Sequence, residues 1–213
     1  MRHQTTKLDQ ILGALDHWLK TTTVPATNSQ RPSPANEQPE ATLSKQDQQH
    51  VAGLMRVDHT GEVCAQALYR GQAAVAKTQA ARDHLNHAAA EEYDHLAWCQ
   101  QRLTELEAKT SHLNAFWYLG SFTIGATAGM VSDAISYGFV VETEHQVMKH
   151  LDQHLKQLPC QDQKSRAILQ QMYQDESEHA HSAQVAGGKR LPLPVRLIMK
   201  AQSKVMTTIA YRW

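Results

Sequence analysis

The chain has 213 residues, with 21 Lys or Arg balanced by 21 Asp or Glu, so it carries no overall bias toward polyanions. That length suffices for one domain with a sizeable core. Three widely spaced cysteines, Cys64, Cys99 and Cys160, form neither a disulfide framework nor a Cys-x-x-Cys zinc pair, and no basic start followed by an apolar run marks a secretory signal.

In chain order, residues 5–20 read as a short amphipathic helix, with Leu8, Ile11, Leu12, Leu15, Trp18 and Leu19 at helical intervals. The N-terminal region 1–20 is followed by a segment, 21–43, with four prolines between Thr21 and Thr42. Its few apolar side chains predict a loose linker. The folded body, 44–213, begins at Ser44, a plausible N-cap with Asp47 three residues on.

Four amphipathic helices follow. Helix A runs to about residue 79, with Val51, Leu54, Met55, Glu62 and Tyr69 on its apolar stripe. Helix B spans about 83–108, with Leu85, Glu92, His95, Leu96 and Leu103. Helix C covers about 134–158 and carries Val140, Glu144, Val147 and Leu151 before Pro159 stops it. Helix D covers about 162–186, with Leu169, Met172, Glu176 and His179, before Gly187 and Gly188.

Two further segments stand out. Between helices B and C, residues 113–141 carry Asp133 as their one charge, together with Phe116, Trp117, Phe122 and four glycines. The glycines and hydroxyl residues lower its apolarity, so a helix buried in the body or lying in a membrane interface is expected rather than a span. After Pro194, residues 195–211 form a final helix. There Arg196, Lys200 and Lys204 flank Leu197, Ile198, Val205 and Ile209, a pattern that suits either an anionic lipid surface or a docked helix with a solvated basic edge.

The chemistry lies in a repeat. Glu62 precedes Glu92-x-x-His95 by 30 residues, and Glu144 precedes Glu176-x-x-His179 by 32. Each Glu falls on an apolar stripe, where an unpaired carboxylate is very costly. Residues i and i+3 project from nearly one side of a helix, so each Glu and its following His reach one centre together. Four carboxylates and two neutral imidazoles balance two divalent cations and leave coordination positions free. Mixed carboxylate and imidazole ligation favours iron or manganese, and iron is the choice here. Core salt bridges are the competing explanation, but agreement of spacing, helix face and duplication weighs against it.

Two registers compete. Glu178-x-x-His181 and Glu142 lie beside the chosen residues, but their helical neighbours are mostly polar, so those faces point outward. Asp58, one turn before Glu62, and Tyr69, two turns after it, are candidates for the surroundings of the site, Asp58 as a group that could orient a ligand imidazole. Cys64 lies far around the helix from Glu62. Glu91 and Asp94 point off the stripe.

The stretches Leu54 to Glu62, Ala67 to Gln72, Glu92 to Leu96, Phe139 to His150 and Asp175 to His179 together resemble the demethoxyubiquinone hydroxylases, over about residues 44–213. The resemblance implies an all-α, ferritin-like four-helix bundle with additional hydrophobic and C-terminal helices. It implies a monooxygenase of ubiquinone biosynthesis that uses dioxygen to hydroxylate the ring of 3-demethoxyubiquinol (2-polyprenyl-3-methyl-6-methoxy-1,4-benzoquinol). The family's ligands match Glu62, Glu92, His95, Glu144, Glu176 and His179, and two iron ions per subunit follow.

The implied setting is peripheral, on the cytoplasmic face of the inner membrane. The implied partners are a polyprenyl quinol, the lipid surface, other ubiquinone-biosynthesis proteins and a homo-oligomer or larger complex. No nucleic acid is expected, because the basic tail is interleaved with aliphatic rather than aromatic residues. The alternatives are a ferritin-like protein that handles iron or peroxide and a non-catalytic membrane-associated bundle.

Overall fold

A computed structural model describes Trp18 and residues 29–213. The described residues form six α-helices and no strand: α1 (Lys45–Val75), α2 (Gln79–Glu105), α3 (Asn114–Val131), α4 (Asp133–Gln157), α5 (Gln163–Val185) and α6 (Leu193–Ala210). The expected helix over residues 5–20 lies outside the described residues apart from Trp18. That residue packs against Val63, Ala67, Leu96 and Tyr118.

Local signals set most helix ends. The Ser44 hydroxyl accepts from the Asp47 amide at 3.1 Å and opens α1. Helix α1 ends at Val75, earlier than its apolar pattern predicts, and α2 starts earlier than expected. The cause is Thr78, whose hydroxyl caps the Ala81 amide. Asp133, on the first turn of α4, accepts from the amides of Lys77 and Thr78 at 2.8 and 3.1 Å. The turn between α1 and α2 is thus tied to the start of α4. Ser132, in extended conformation, divides the 113–141 segment, charged only at Asp133, into α3 and the first turns of α4. Gly187 adopts φ 101°, and the Gly188 amide returns to the Ala183 carbonyl at 3.0 Å to close α5.

Helices α1, α2, α4 and α5 carry the paired stripes. Their apolar side chains form two main clusters. One is built around Met55, Trp98, Leu103, Leu151, Ile168, Leu169 and Met172. The other is built around Leu68, Tyr69, Leu85, Tyr137, Val140 and Ala183.

Helix α3 runs alongside α1 in the same direction, with Asn114 level with Thr60, Gly125 with Leu68 and Gly129 with Gln72. A side chain at Gly125 would run into the Leu68 carbonyl, and one at Gly71 into the Phe122 carbonyl. These two glycines let the backbones touch. The outer face of α3 leaves Phe116, Leu119, Met130 and Val131 exposed. No described helix is long and apolar enough to cross a membrane.

The described part of the expected loose linker, residues 29–43, is held against the bundle. Ala35 is buried in the first cluster. The Trp98 indole N–H donates to the Arg31 carbonyl at 3.2 Å. Buried Arg102 reaches Glu40 at 3.0 Å, and Lys164 reaches it at 2.8 Å. Composition predicts that this segment cannot bury enough surface of its own. Here the body supplies its partners, a contribution that composition does not register.

Candidate metal centre and adjoining cavity

The four bundle helices bring all six sequence-selected residues into one buried cluster. Glu62 comes from α1, Glu92 and His95 from α2, Glu144 from α4, and Glu176 and His179 from α5. They form two overlapping groups, Glu62–Glu92–His95–Glu176 and Glu92–Glu144–Glu176–His179. In each group, one ligand atom from every residue lies within 4.8 Å of the others. Glu92 and Glu176 belong to both, so the two Glu-x-x-His glutamates sit between the positions and Glu62 and Glu144 lie at the ends. Sequence spacing alone does not distinguish these roles.

Both imidazoles turn Nδ1 inward. His95 Nδ1 lies 3.1 Å from Glu92 Oε2 and 3.0 Å from Glu176 Oε1. His179 Nδ1 lies 3.2 Å from Glu92 Oε1 and 3.0 Å from Glu176 Oε2. Each Nε2 meets a carboxylate from the opposite helix, His95 with Asp175 at 2.8 Å and His179 with Glu91 at 3.1 Å. The pattern is crossed, because Asp175 directly precedes Glu176 and Glu91 directly precedes Glu92. An outer carboxylate of this kind fixes the tautomer and leaves the inner nitrogen free to bind a cation.

The electrostatics suit a pair of cations. Burial, together with neighbouring carboxylates, drives Glu62 and Glu144 well above the usual carboxylate range. Burial acts on Glu92 in the same direction, but His179 and His95 outweigh it and hold Glu92 low. Burial also opposes charge on His95 and His179, yet the surrounding acids hold both well above the ordinary imidazole range. These directions mark a concentration of negative charge that two divalent cations would neutralise. Buried Glu144 Oε2 accepts no hydrogen bond, and Glu92 Oε1 and Glu176 Oε1 meet only the two Nδ1 atoms, which leaves acceptor capacity directed at the same space. The donor set thus fits a metal pair.

Several expectations change in detail. Asp58 does not orient a ligand imidazole; its Oδ1 lies 2.8 Å from Nδ1 of His154, which belongs to neither metal group. Tyr69, a candidate for the surroundings of the site from its place two turns after Glu62, donates its hydroxyl to Glu144 Oε1. Glu91 and Asp94 lie off the apolar stripe yet belong to the surroundings of the site. Glu91 holds His179, and Asp94 binds Arg31 at 3.0 Å. Asp175 and Arg31 were not singled out by spacing. For Asp175, its place directly before Glu176 is a signal that could have found it; Arg31 offered none. Glu178 and His181 are exposed, and Glu142 pairs with Arg196 at 2.6 Å. Cys64 lines the adjoining cavity, and burial pushes its thiol up to about 11.

That cavity begins beside Glu62 and passes between α1, α3, α4 and α6. Leu68, Trp117, Ile124, Phe139, Met199 and Met206 make its walls largely apolar. It connects the carboxylate cluster with the two helices whose outer faces are apolar and exposed.

A family model described as ubiquinone biosynthesis protein COQ7 matches residues 49–210. The chain belongs to this family. It is similar to the 3-demethoxyubiquinol 3-hydroxylase of Francisella philomiragia subsp. philomiragia, with 63% identity over 206 residues, or 97% of each chain. The proteins of the same name from Francisella tularensis subsp. tularensis and subsp. novicida are each 61% identical over 206 residues, again 97% of each chain. The family match spans all six cluster residues and runs from within α1 to the end of α6.

Proposed function

We propose that the chain is a 3-demethoxyubiquinol 3-hydroxylase, an oxygen-dependent oxidoreductase of ubiquinone biosynthesis. The observation that carries this reading is the six-residue cluster placed at the head of an apolar cavity, in a chain of this family. Glu62, Glu92, His95 and Glu176 would hold one iron ion, and Glu92, Glu144, Glu176 and His179 a second. When bound, the pair supplies dioxygen reduction and Lewis acidity.

The chain's own residues do the rest. The cavity walls take the quinol ring and exclude water from it. Asp175 and Glu91 hold the two imidazoles in the tautomer that turns Nδ1 inward. Tyr69 fixes the rotamer of Glu144 by donating to it. One oxygen atom enters the ring and the other leaves as water. The overall reaction takes two electrons and two protons from a reductant.

The protein is peripheral, on the cytoplasmic face of the inner membrane. The exposed apolar residues Phe116, Leu119, Leu197, Ile198 and Val205 lie on helices that flank the cavity. Lys200 and Lys204 are exposed on α6, where anionic headgroups would attract them. A polyprenyl tail can then remain in lipid while the ring enters between α3 and α6. Residues 44–213 form the catalytic body in this reading, which also includes assembly as an oligomer or with other ubiquinone-biosynthesis proteins.

The test is turnover of 3-demethoxyubiquinol in detergent or lipid under ¹⁸O-labelled dioxygen. One labelled oxygen atom is expected in the product, and two irons per chain are expected by metal analysis. Iron uptake by the hundreds per assembly without quinol turnover would overturn the hydroxylase reading in favour of storage.

A further inference from the structure

The two halves of the cluster are near copies at the ligands but differ one step outside them. On the His179 side, the outer carboxylate Glu91 has a 40% exposed side chain, the exposed His87 imidazole lies 3.7 Å from it, and Arg31 reaches it only as a distant charge. On the His95 side, Asp175 is fixed from two directions. Gln171 donates to Oδ1 at 2.9 Å, and Arg31 Nη1 lies 2.9 Å from Oδ2, the oxygen that faces His95.

Arg31 is itself well held. Its Nε donates to Asp94 Oδ2 at 3.0 Å, and the Gln30 amide donates to the other Asp94 oxygen at 2.7 Å. The guanidinium lies 4.8 Å from the Trp98 ring centroid, and the Arg31 carbonyl takes the Trp98 indole N–H. A planar fork that bridges two carboxylates while stacked on an aromatic ring is a task that lysine performs poorly. The residue comes from the segment before α1, outside the bundle and before residues 49–210 of the family match.

We propose that Arg31 is a positioning residue for one half of the centre. By fixing Asp175 it holds His95 in its inward-facing tautomer. The position bounded by Glu62, Glu92, His95 and Glu176 is thereby made the tighter of the two. The segment before the bundle thus gives a nearly symmetric ligand set two unequal metal positions. This inference rests on the two-metal reading and extends it. Loss of an outer-shell partner typically weakens metal binding by about 10- to 100-fold.

The experiment is anaerobic titration of the full-length protein with Co²⁺. It is followed by visible absorption and by the paramagnetically shifted proton resonances of the ligand imidazole N–H groups. Wild-type protein is expected to take up two ions and show two N–H resonances. Arg31→Ala is expected to weaken one ion about tenfold and to broaden one resonance by solvent exchange, leaving the other ion and resonance unchanged. Arg31→Lys should restore only part of the affinity. Glu40→Ala, which loosens the same segment from Arg102 and Lys164, should leave both ions as in wild type.

Equal weakening of both ions, no weakening of either, or the same effect from Glu40→Ala would each overturn the assignment. If Arg31→Ala does not fold, Arg31→Lys decides: wild-type affinity for both ions rejects the proposal. Failure of wild-type protein to bind two ions sinks the two-metal reading itself, and this inference with it.

Discussion

Tyr69 on α1 donates its phenolic hydroxyl to Oε1 of Glu144 on α4, joining two helices at the end of the cluster opposite Glu62. Both residues are fully buried. Tyr69→Phe removes the donor and leaves a second oxygen of Glu144 unsatisfied beside Oε2. The expected cost is about 1–3 kcal/mol of unfolding free energy in the metal-free protein. Weaker binding of the second metal should accompany it. Denaturant titration and metal analysis of the same preparation check both.

The shared position of Glu92 and Glu176 predicts unequal losses among the ligands. Glu62→Ala removes a residue of one group only, so on the proposed two-iron reading iron content should fall toward one per chain. Glu176→Ala removes a residue of both groups and should bring iron below one per chain. Colorimetric iron analysis after identical reconstitution compares them. Equal retention in the two variants would contradict the bridging arrangement.

Gly125 is a packing requirement. Its missing side chain is what allows α3 to meet the Leu68 carbonyl of α1. Gly125→Ala should force the helices apart and lower stability by about 1–3 kcal/mol, as overpacking does elsewhere. The cavity wall built by Trp117 and Ile124 shifts with α3, so quinol turnover should fall too. Gly120→Ala, where nothing stands within 4 Å of an added methyl group, serves as the control and should leave the melting temperature nearly unchanged.

His59 gives a pH dependence of known sign. Burial lowers its imidazole from the ordinary 6.5 to about 4 despite a hydrogen bond with Gln100. The unfolded chain therefore binds a proton that the folded chain refuses between those values. The His59 contribution is fully present above about pH 6.5 and is lost as pH falls toward about 4. The gap corresponds to roughly 3 kcal/mol. His59→Gln should flatten this part of the acid limb when unfolding free energy is measured against pH in the presence of a chelator. An unchanged slope would show that His59 is already charged in the folded state.

Membrane association should depend on the apolar faces that flank the cavity. Replacing Phe116 and Ile198, 66% exposed in each case, with Glu should reduce sedimentation with anionic vesicles at least tenfold. Both side chains point away from the cluster, so metal content should stay at wild-type level. Retention of vesicle binding in the double variant would remove these helices from the lipid contact.

The six clustered residues were legible in the sequence because helical period and chain spacing are local quantities. A glutamate on an apolar stripe states its own energetic difficulty, and four such glutamates with two histidines state the remedy. The competing registers at Glu142 and at Glu178 with His181 could be set aside for the same reason, since each lies on a polar face. The end of α1 was less legible, because its apolar pattern continues past Val75 while Asp133, far along the chain, accepts the amides that break it.

What only the tertiary structure decided is how separate segments meet. Which glutamates are shared depends on how the four helices are rotated about one another, and no single-helix pattern contains that information. Asp58 and Asp175 are both acids near a ligand in sequence, yet Asp58 meets His154 while Asp175 meets His95. Arg31 lies in a proline-rich, polar stretch whose composition predicts little order. Its place beside Asp94, Asp175 and Trp98 comes from charges and a ring that the folded bundle presents to it. Local energetics selected the six clustered residues, whereas contacts between residues 75 to 88 positions apart gave Glu144, His95 and His179 their outer neighbours.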